Sequence, residues 1–320
     1  MSSAVDIRRP AIYLAVAAVL ALGTALLPGD AGPAAAAPPP PPAGGAAASA
    51  PACTQIQDSL RPQGALPAPG KMPAGSTMAT IFERGRLIVG VDQSKYLVGY
   101  RNPLTGELEG TDIDIVHQVS QAIFGDPNRV QFVVYDIADR VKAVQSKQVD
   151  MVVNNFSITC ARQQSVEFSS VYQTAQQRLM VPKGSGIKEV EDLKGAKVCT
   201  SAGSTTEKKL KELGTNVVTE VGIPDCVIDL QLGQVAAVST DDIILAGLSA
   251  QDPQTEVVGR VLDTAGYGIG MSKDAADLVR FVNGVLDKAR ADGSLQASYA
   301  KWLGVQLKTA PIPPPAKYRD

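Results

Sequence analysis

The sequence predicts an α/β fold made of two units, each a mostly parallel, doubly wound sheet of about 90 residues. Two observations predict it. Short apolar runs rich in Val and Ile alternate with helix-period segments from about residue 81 onward, and the same alternation begins afresh at Lys197. Runs this apolar belong to strands buried on both faces, and helices between them are what parallel neighbours require.

In chain order, Arg86–Asp92 reads as the first strand and Asp112–Phe124 as a helix with Ile113, Ile115, Val116, Val119 and Ile123 on one side. Val130–Tyr135 is a strand, Asp136 starts a helix through Val141 and Val144, and Val149–Asn154 is a third strand. The second unit begins with the strand Lys197–Thr200, then the helix Thr205–Leu213, the strand Val217–Val221, the helix Pro224–Leu232 and the strand Val235–Thr240. Tyr267–Met271 returns as a strand, Ala275–Asp292 as a long amphipathic helix, and Trp302 falls in a last short helix. The tail from Pro311 reads as unstructured because of its prolines. Ligands of such sheets bind beyond the carboxyl ends of strands, and two units in series predict a cleft between them.

The front of the chain has another composition. Arg8 and Arg9 precede Pro10–Gly29, which carries no charge, and the pattern is that of an export signal over residues 1–30. Ala34 and Ala36 offer a cleavage site; uncut, about 20 apolar residues would span a bilayer as an anchor. Residues 31–80 read as an Ala/Pro-rich linker and N-terminal extension, with five consecutive prolines from Pro38 to Pro42. The folded part is therefore expected outside the cytoplasm, in the cell envelope or secreted, where disulfides are permitted. Four Cys allow three pairings. The pairs expected are Cys199 with Cys226, closing a short loop, and Cys53 with Cys160, stapling the extension to the domain. A lipid on Cys53 is disfavoured, since Ala50-Pro51-Ala52 is not the triplet such a modification needs.

Composition removes whole classes of function. Lys+Arg 30 against Asp+Glu 32 leaves a net charge of −2, so no basic surplus is available for nucleic acid. A single His and no His/Cys cluster argue against a bound metal, and no cofactor motif is present. Gly203-Ser204-Thr205-Thr206 is not a phosphate loop, and Gly266, Gly268 and Gly270 alternate in a strand, a spacing that speaks for close backbone approach.

Several segments resemble one family. Leu87–Asp92 is similar to its first strand, and Gly110-Thr-Asp-Ile-Asp-Ile115 to its helix start, with Thr111 where Phe is usual. Ser157-Ile-Thr-Cys-Ala-Arg162 followed by Val166-Glu-Phe-Ser169 is the most specific piece. Val198–Thr206, Ala237–Asp241 and Tyr267–Gly270 follow in the expected order. Together, over roughly 81–305, they resemble the extracytoplasmic solute-binding proteins of family 3, which bind polar amino acids. In texture the chain is most similar to actinobacterial glutamate- or glutamine-binding members. The resemblance implies a two-lobed, periplasmic-binding-protein-like (type II) clamshell with two crossover segments. By analogy, lobe 1 comprises 81–175 and 269–310, lobe 2 comprises 176–268, and 311–320 is a tail.

The resemblance also singles out residues, each with a chemical reason. A free amino acid presents a carboxylate and an ammonium, so a site needs a cationic fork and an anion. Arg162 supplies a guanidinium that binds carboxylate bidentately. Asp241, at the end of a buried strand, is expected on the ammonium, although an Asp there could simply cap a helix. Thr205 begins a helix whose free N–H groups favour a carboxylate. Ser157 and Asn155 follow the strand Val149–Asn154 and are expected in the same cleft. Lys95 and Tyr100 lie in the loop after the first strand, Lys95 as a partner for a side-chain carboxylate and Tyr100 as a wall. His117 is expected to be structural.

The function expected is non-catalytic: lobes close on a polar amino acid of the glutamate/aspartate/glutamine/asparagine class, and a membrane permease or membrane sensor reads the closed, monomeric form. The alternative is an enzyme on the same fold acting on prephenate-like acids, which would need a tuned acid or base such as Asp241 or Glu167.

Overall fold

The computed structural model describes residues 55–319. The export signal, the proline linker and Cys53 lie outside the described residues.

The chain starts with a two-residue strand, β1 (Ser59–Leu60), and the helix α1 (Thr77–Arg84), which Ser76 caps by accepting from the Ala79 amide and Gly85 ends in the left-handed region. Next come β2 (Leu87–Val91), β3 (Ser94–Lys95), β4 (Gly99–Arg101) and β5 (Leu108–Glu109). The helix α2 (Thr111–Phe124) buries Ile113, Ile115, Val116, Val119 and Ile123, the residues that its periodicity selects. The chain continues with β6 (Val130–Val134), a 3₁₀ turn (Ile137–Asp139), α3 (Arg140–Gln145), β7 (Met151–Val152), α4 (Cys160–Gln163) and β8 (Glu167–Phe168).

A ten-residue strand, β9 (Gln173–Pro182), leads into the second sheet. Then follow β10 (Lys197–Ser201), α5 (Thr205–Glu212), β11 (Asn216–Glu220), α6 (Ile223–Gln231), β12 (Ala237–Asp241) and α7 (Asp242–Gln251). The thirteen-residue β13 (Thr255–Tyr267) returns to β14 (Gly270–Met271), the helices α8 (Ala276–Ala291) and α9 (Ser294–Trp302), and a final β15 (Tyr318–Arg319).

Two five-stranded sheets result, in the orders β6-β2-β7-β14-β8 and β11-β10-β12-β9-β13. In each, three strands run parallel, β6-β2-β7 and β11-β10-β12, and the rest pair antiparallel. β3-β4-β5 form a small separate sheet. Each large sheet is the centre of one lobe. Between lobes the crossing segments lie against each other: the Tyr172 amide donates to the Tyr267 carbonyl and the Ser169 amide to the Ile269 carbonyl. The alternating glycines are explained there. A Cβ on Gly266 would stand 2.8 Å from Val171, one on Gly268 2.8 Å from Ile158, and one on Gly270 2.8 Å from Phe156.

The tail differs from expectation. Its prolines do prevent regular structure from 311 to 317, but Tyr318 and Arg319 pair in parallel with Ser59 and Leu60. The β1–β15 pair thus lies along lobe 1: Ser59 Oγ donates to the Phe168 carbonyl, and Asn283 Nδ2 donates to Ser59 Oγ and to the Leu60 carbonyl, each at 2.7 Å. Cys199 and Cys226 are bridged, joining β10 to α6. Cys160 is also disulfide-bonded.

Candidate functional site

The turn after β7 is the lobe-1 half of the site. Ser157 forms an isolated bridge with Tyr267, so the turn sits directly on the crossing. Arg162, on α4, reaches back over it: Nη1 donates to the Ser157 carbonyl at 2.7 Å and the guanidinium lies 5.2 Å from the Phe156 ring centroid. Its Nη2 donates to the Gly203 carbonyl of lobe 2 at 3.3 Å, so this one side chain touches both lobes. Burial lowers its pKa to about 10 while Asp241 pulls the other way, and the group stays charged at neutral pH.

Asp241 stands opposite, on lobe 2. It occupies the N-cap position of α7, yet its side chain makes no capping bond. One oxygen instead accepts a short hydrogen bond from the Tyr267 hydroxyl. Burial pushes its carboxyl up to about 6, against the pull of that hydroxyl. The neighbouring Asp242 does the structural work at this helix start, accepting from the Gln176 amide at 3.0 Å and from Ile243 at 2.9 Å. Arg162 and Asp241 form no ion pair with each other: a cation on one lobe and an anion on the other, near enough for the carboxylate to favour the charged guanidinium, and neither in a salt bridge among the described residues.

Thr205 and Ser157 come together across the lobes, their hydroxyls 3.5 Å apart. Thr205 is the first residue of α5, whose cap is Ser204, accepting from the Glu207 amide. The first-turn N–H groups of that helix have no intrahelical acceptor. Gly203 beside them sits at φ +71°, with a Cβ position 3.2 Å from Ala138 of lobe 1. The lobes are therefore in contact along this rim.

Asn155 is buried in the left-handed region, φ +44°, and neither Nδ2 nor Oδ1 has a hydrogen-bond partner. Gln173, on the crossing strand, is in the same condition. Buried polar groups are nearly always paired, so two orphaned amides beside this cleft mark groups that await a polar guest or water.

Lys95 is not the exposed lysine that its loop position suggests. It is 2% exposed, 2.9 Å from Asn154 Oδ1 and 3.0 Å from Asp92. Burial raises the Asp92 carboxyl, but Lys95 and the Ser94 hydrogen bonds outweigh it and hold the group below its ordinary value. These residues line a cavity of about 310 Å³ bounded by Tyr135–Ile137 of lobe 1 and by Ser201 and Val221–Asp225 of lobe 2. Tyr100 is not brought to the cluster; it meets Tyr96 edge-on at 5.2 Å in the small sheet. His117 packs edge-on against Phe132 on the flank of α2, outside the site.

Sequence reasoning missed Arg140. Its guanidinium is 2% exposed, donates through Nη1 to the carbonyls of Asn154 and Asn155, and lies 4.4 Å from the same Phe156 ring. Burial, and Arg162 nearby, lower its pKa to about 9. It makes no ion pair among the described residues. The signal was present: Arg140 shares a helix face with Ala143 and Val144, and a charge on an apolar face is anomalous.

A two-lobed sheet pair with opposed charges at its seam defines a receptor for a small charged or zwitterionic solute. The bacterial extracellular solute-binding proteins of family 3 match residues 87–305, and this chain belongs to that family. It is 34% identical over 230 residues to an ABC transporter glutamine-binding protein of Bacillus subtilis, covering 71% of this chain and 84% of that one. It is 30% identical over 253 residues to a glutamate-binding protein of Corynebacterium efficiens, covering 75% and 86%. Among solved structures it resembles the L-cysteine receptor of Neisseria gonorrhoeae (TM-score 0.69, 27% identity, 72% and 94% covered). An ancestral arginine-binding protein bound to glutamine is also similar (TM-score 0.64, 32% identity, 69% and 99% covered). These relatives are binding proteins, so the chain is a solute-binding protein of their family and the enzyme alternative is set aside. Among the described residues no helix is long and apolar enough to cross a membrane.

Proposed function

We propose that this protein captures a free amino acid with an acidic or amide side chain (glutamate, glutamine, aspartate or asparagine) outside the cytoplasm and presents the closed form to a membrane permease of ABC type or a membrane sensor. Lobe 1 is 81–175 and 269–310, and lobe 2 is 176–268. The observation that carries the reading is Arg162 bridging the lobes, from the Ser157 carbonyl to the Gly203 carbonyl, beside the Ser157–Thr205 hydroxyl contact and within electrostatic reach of the buried Asp241. The ligand carboxylate takes Arg162, Ser157 and the Thr205 end of α5; its ammonium takes Asp241. A ligand touching both lobes favours the closed arrangement by its differential affinity.

The second guanidinium, Arg140, donates to the Asn154 and Asn155 carbonyls without an ion pair among the described residues, and the buried Lys95 donates to the Asn154 side chain. That environment suits a second carboxylate or an amide oxygen and disfavours a cationic side chain. The printed names of the glutamine- and glutamate-binding relatives agree with this choice.

Titration calorimetry of the protein with the common amino acids tests the reading. Binding is expected for one or more of the four named ligands and not for lysine or arginine. Heat from none of the four, or a preference for a basic amino acid, overturns it.

A further inference from the structure

The turn after β7 gathers the lobe-1 side of the site. Asn154 accepts from Lys95, the Asn154 and Asn155 carbonyls accept from Arg140, and the Ser157 carbonyl accepts from Arg162. At its centre Asn155 adopts φ +44°, a conformation that a residue with a side chain keeps only when its surroundings hold it. The holding contact is a carboxylate beneath the turn. The Asn155 amide donates to Asp112 Oδ2 at 2.9 Å, and the Tyr172 hydroxyl, at the start of the crossing, donates to Asp112 Oδ1 at 2.9 Å.

Asp112 is itself rigidly placed. It is the second residue of α2, where the helix end favours a negative charge, and its own amide donates to the Val98 carbonyl at 2.9 Å. Gly110 just before it, at φ +127°, brings the helix start so near Val98 that a Cβ would stand 2.3 Å from that carbonyl oxygen.

We propose that Asp112 is a positioning residue of the ligand site: its carboxylate clamps the Asn155 amide and the Tyr172 hydroxyl, holding the 154–157 turn and the start of the crossing in one geometry. Its consequence for binding rests on the cleft assignment above; its mechanics do not. Two donors converge on Asp112, and a carboxylate offers an acceptor to each. An asparagine of the same size offers one oxygen and turns a donor toward one of the two, so the clamp is lost without a change of volume. Protonation does the same. The groups facing Asp112 are Lys95 and Asp92 from the loop after β2, Tyr172 and Tyr267 from the crossings, and Tyr299 from α9, whose hydroxyl donates to the Tyr172 carbonyl. Burial in this setting raises its carboxyl to about 6.

Amide hydrogen exchange on the full-length, ligand-free protein is the test, with α8 as internal reference. Asp112→Asn is expected to speed exchange in 154–157 by about tenfold or more while α8 changes little. Tyr172→Phe, which leaves the Asn155 contact intact, keeps the turn protected. Protection of the turn in the wild type falls as pH drops through about 6. Should Asp112→Asn not fold, this wild-type profile decides alone. Unchanged exchange in Asp112→Asn, a uniform rise over the whole chain, or wild-type protection that is flat across pH 6 overturns the inference. With L-glutamine and L-glutamate as probes, Asp112→Asn is expected to bind at least tenfold more weakly than wild type, and equal affinity overturns it. A wild type that binds neither tells against the cleft assignment, and the exchange data still judge Asp112.

Discussion

Arg162 holds a carbonyl from each lobe and shares the face of Phe156 with Arg140, so its guanidinium is oriented before any ligand arrives. Lysine can supply its charge but not its planar fork. Arg162→Lys and Arg162→Ala should therefore both lower affinity, by tenfold and a hundredfold or more as orders of magnitude, while the melting temperature stays near that of the wild type; calorimetry and circular dichroism measure the two. Asp241 is held by Tyr267 and titrates near 6. Its charged form is the one that binds an ammonium, so affinity should decline as pH falls through 6, and Asp241→Asn should bind weakly with that decline flattened. Arg162, Asp241, Ser157 and Thr205 were singled out through the resemblance of their segments to the family, and the fold brings Thr205 to Ser157 and Arg162 to Gly203. Arg140 was missed although it shares an apolar helix face with Ala143 and Val144, and Asp112 was missed because an acid at a helix start also suits a plain first-turn charge; the fold turns both inward. Lys95 was expected to meet a ligand carboxylate, and its ion pair with Asp92, three residues earlier, was not foreseen because periodicity does not give the course of that loop.

At the scale of elements, the Cys199–Cys226 bridge ties β10 to α6 across a separation of 27 residues. A loop of that size limits the unfolded chain by about 3–4 kcal/mol in the loop-entropy account, and Cys199→Ser with Cys226→Ser should lose stability of that order, seen by scanning calorimetry. The terminal pair β1 and β15 lies beside β8, the edge of the first sheet, with Arg319 on Glu167 at 2.7 Å. Deleting 307–320 should unpin that edge and lower the melting temperature of the lobe by several degrees, again by calorimetry. The helices and parallel strands could be read from the sequence because their apolar spacing is local. The β1–β15 ladder could not, because its partners are separated by nearly the whole domain and each strand has only two residues, too few to show a period. Nor did the length of β9 and β13 show, since a bulge between Val258 and Asp263 breaks the alternation along that hairpin.

In the whole molecule proton uptake is coupled to folding. Asp112 and Asp241 both titrate near 6 in the folded chain, above their ordinary 3.8. A carboxyl so raised takes up a proton on folding between those values, so its contribution stabilises the fold as pH falls from 6 toward 4 and is lost as pH rises through 6. Ligand-free protein should accordingly melt higher at pH 5 than at pH 7 relative to Asp241→Asn, while affinity moves in the opposite direction. A bound ammonium would reverse the preference of Asp241 and narrow the difference. If opposite lobes grip the two poles of a free amino acid, both poles must be free for it to bind. Calorimetric titration with the best ligand and with its N-acetyl and α-amide derivatives decides this: the free amino acid should bind tightly and masking either pole should cost at least a hundredfold, whereas undiminished binding of either masked derivative would show that the lobes do not hold both poles.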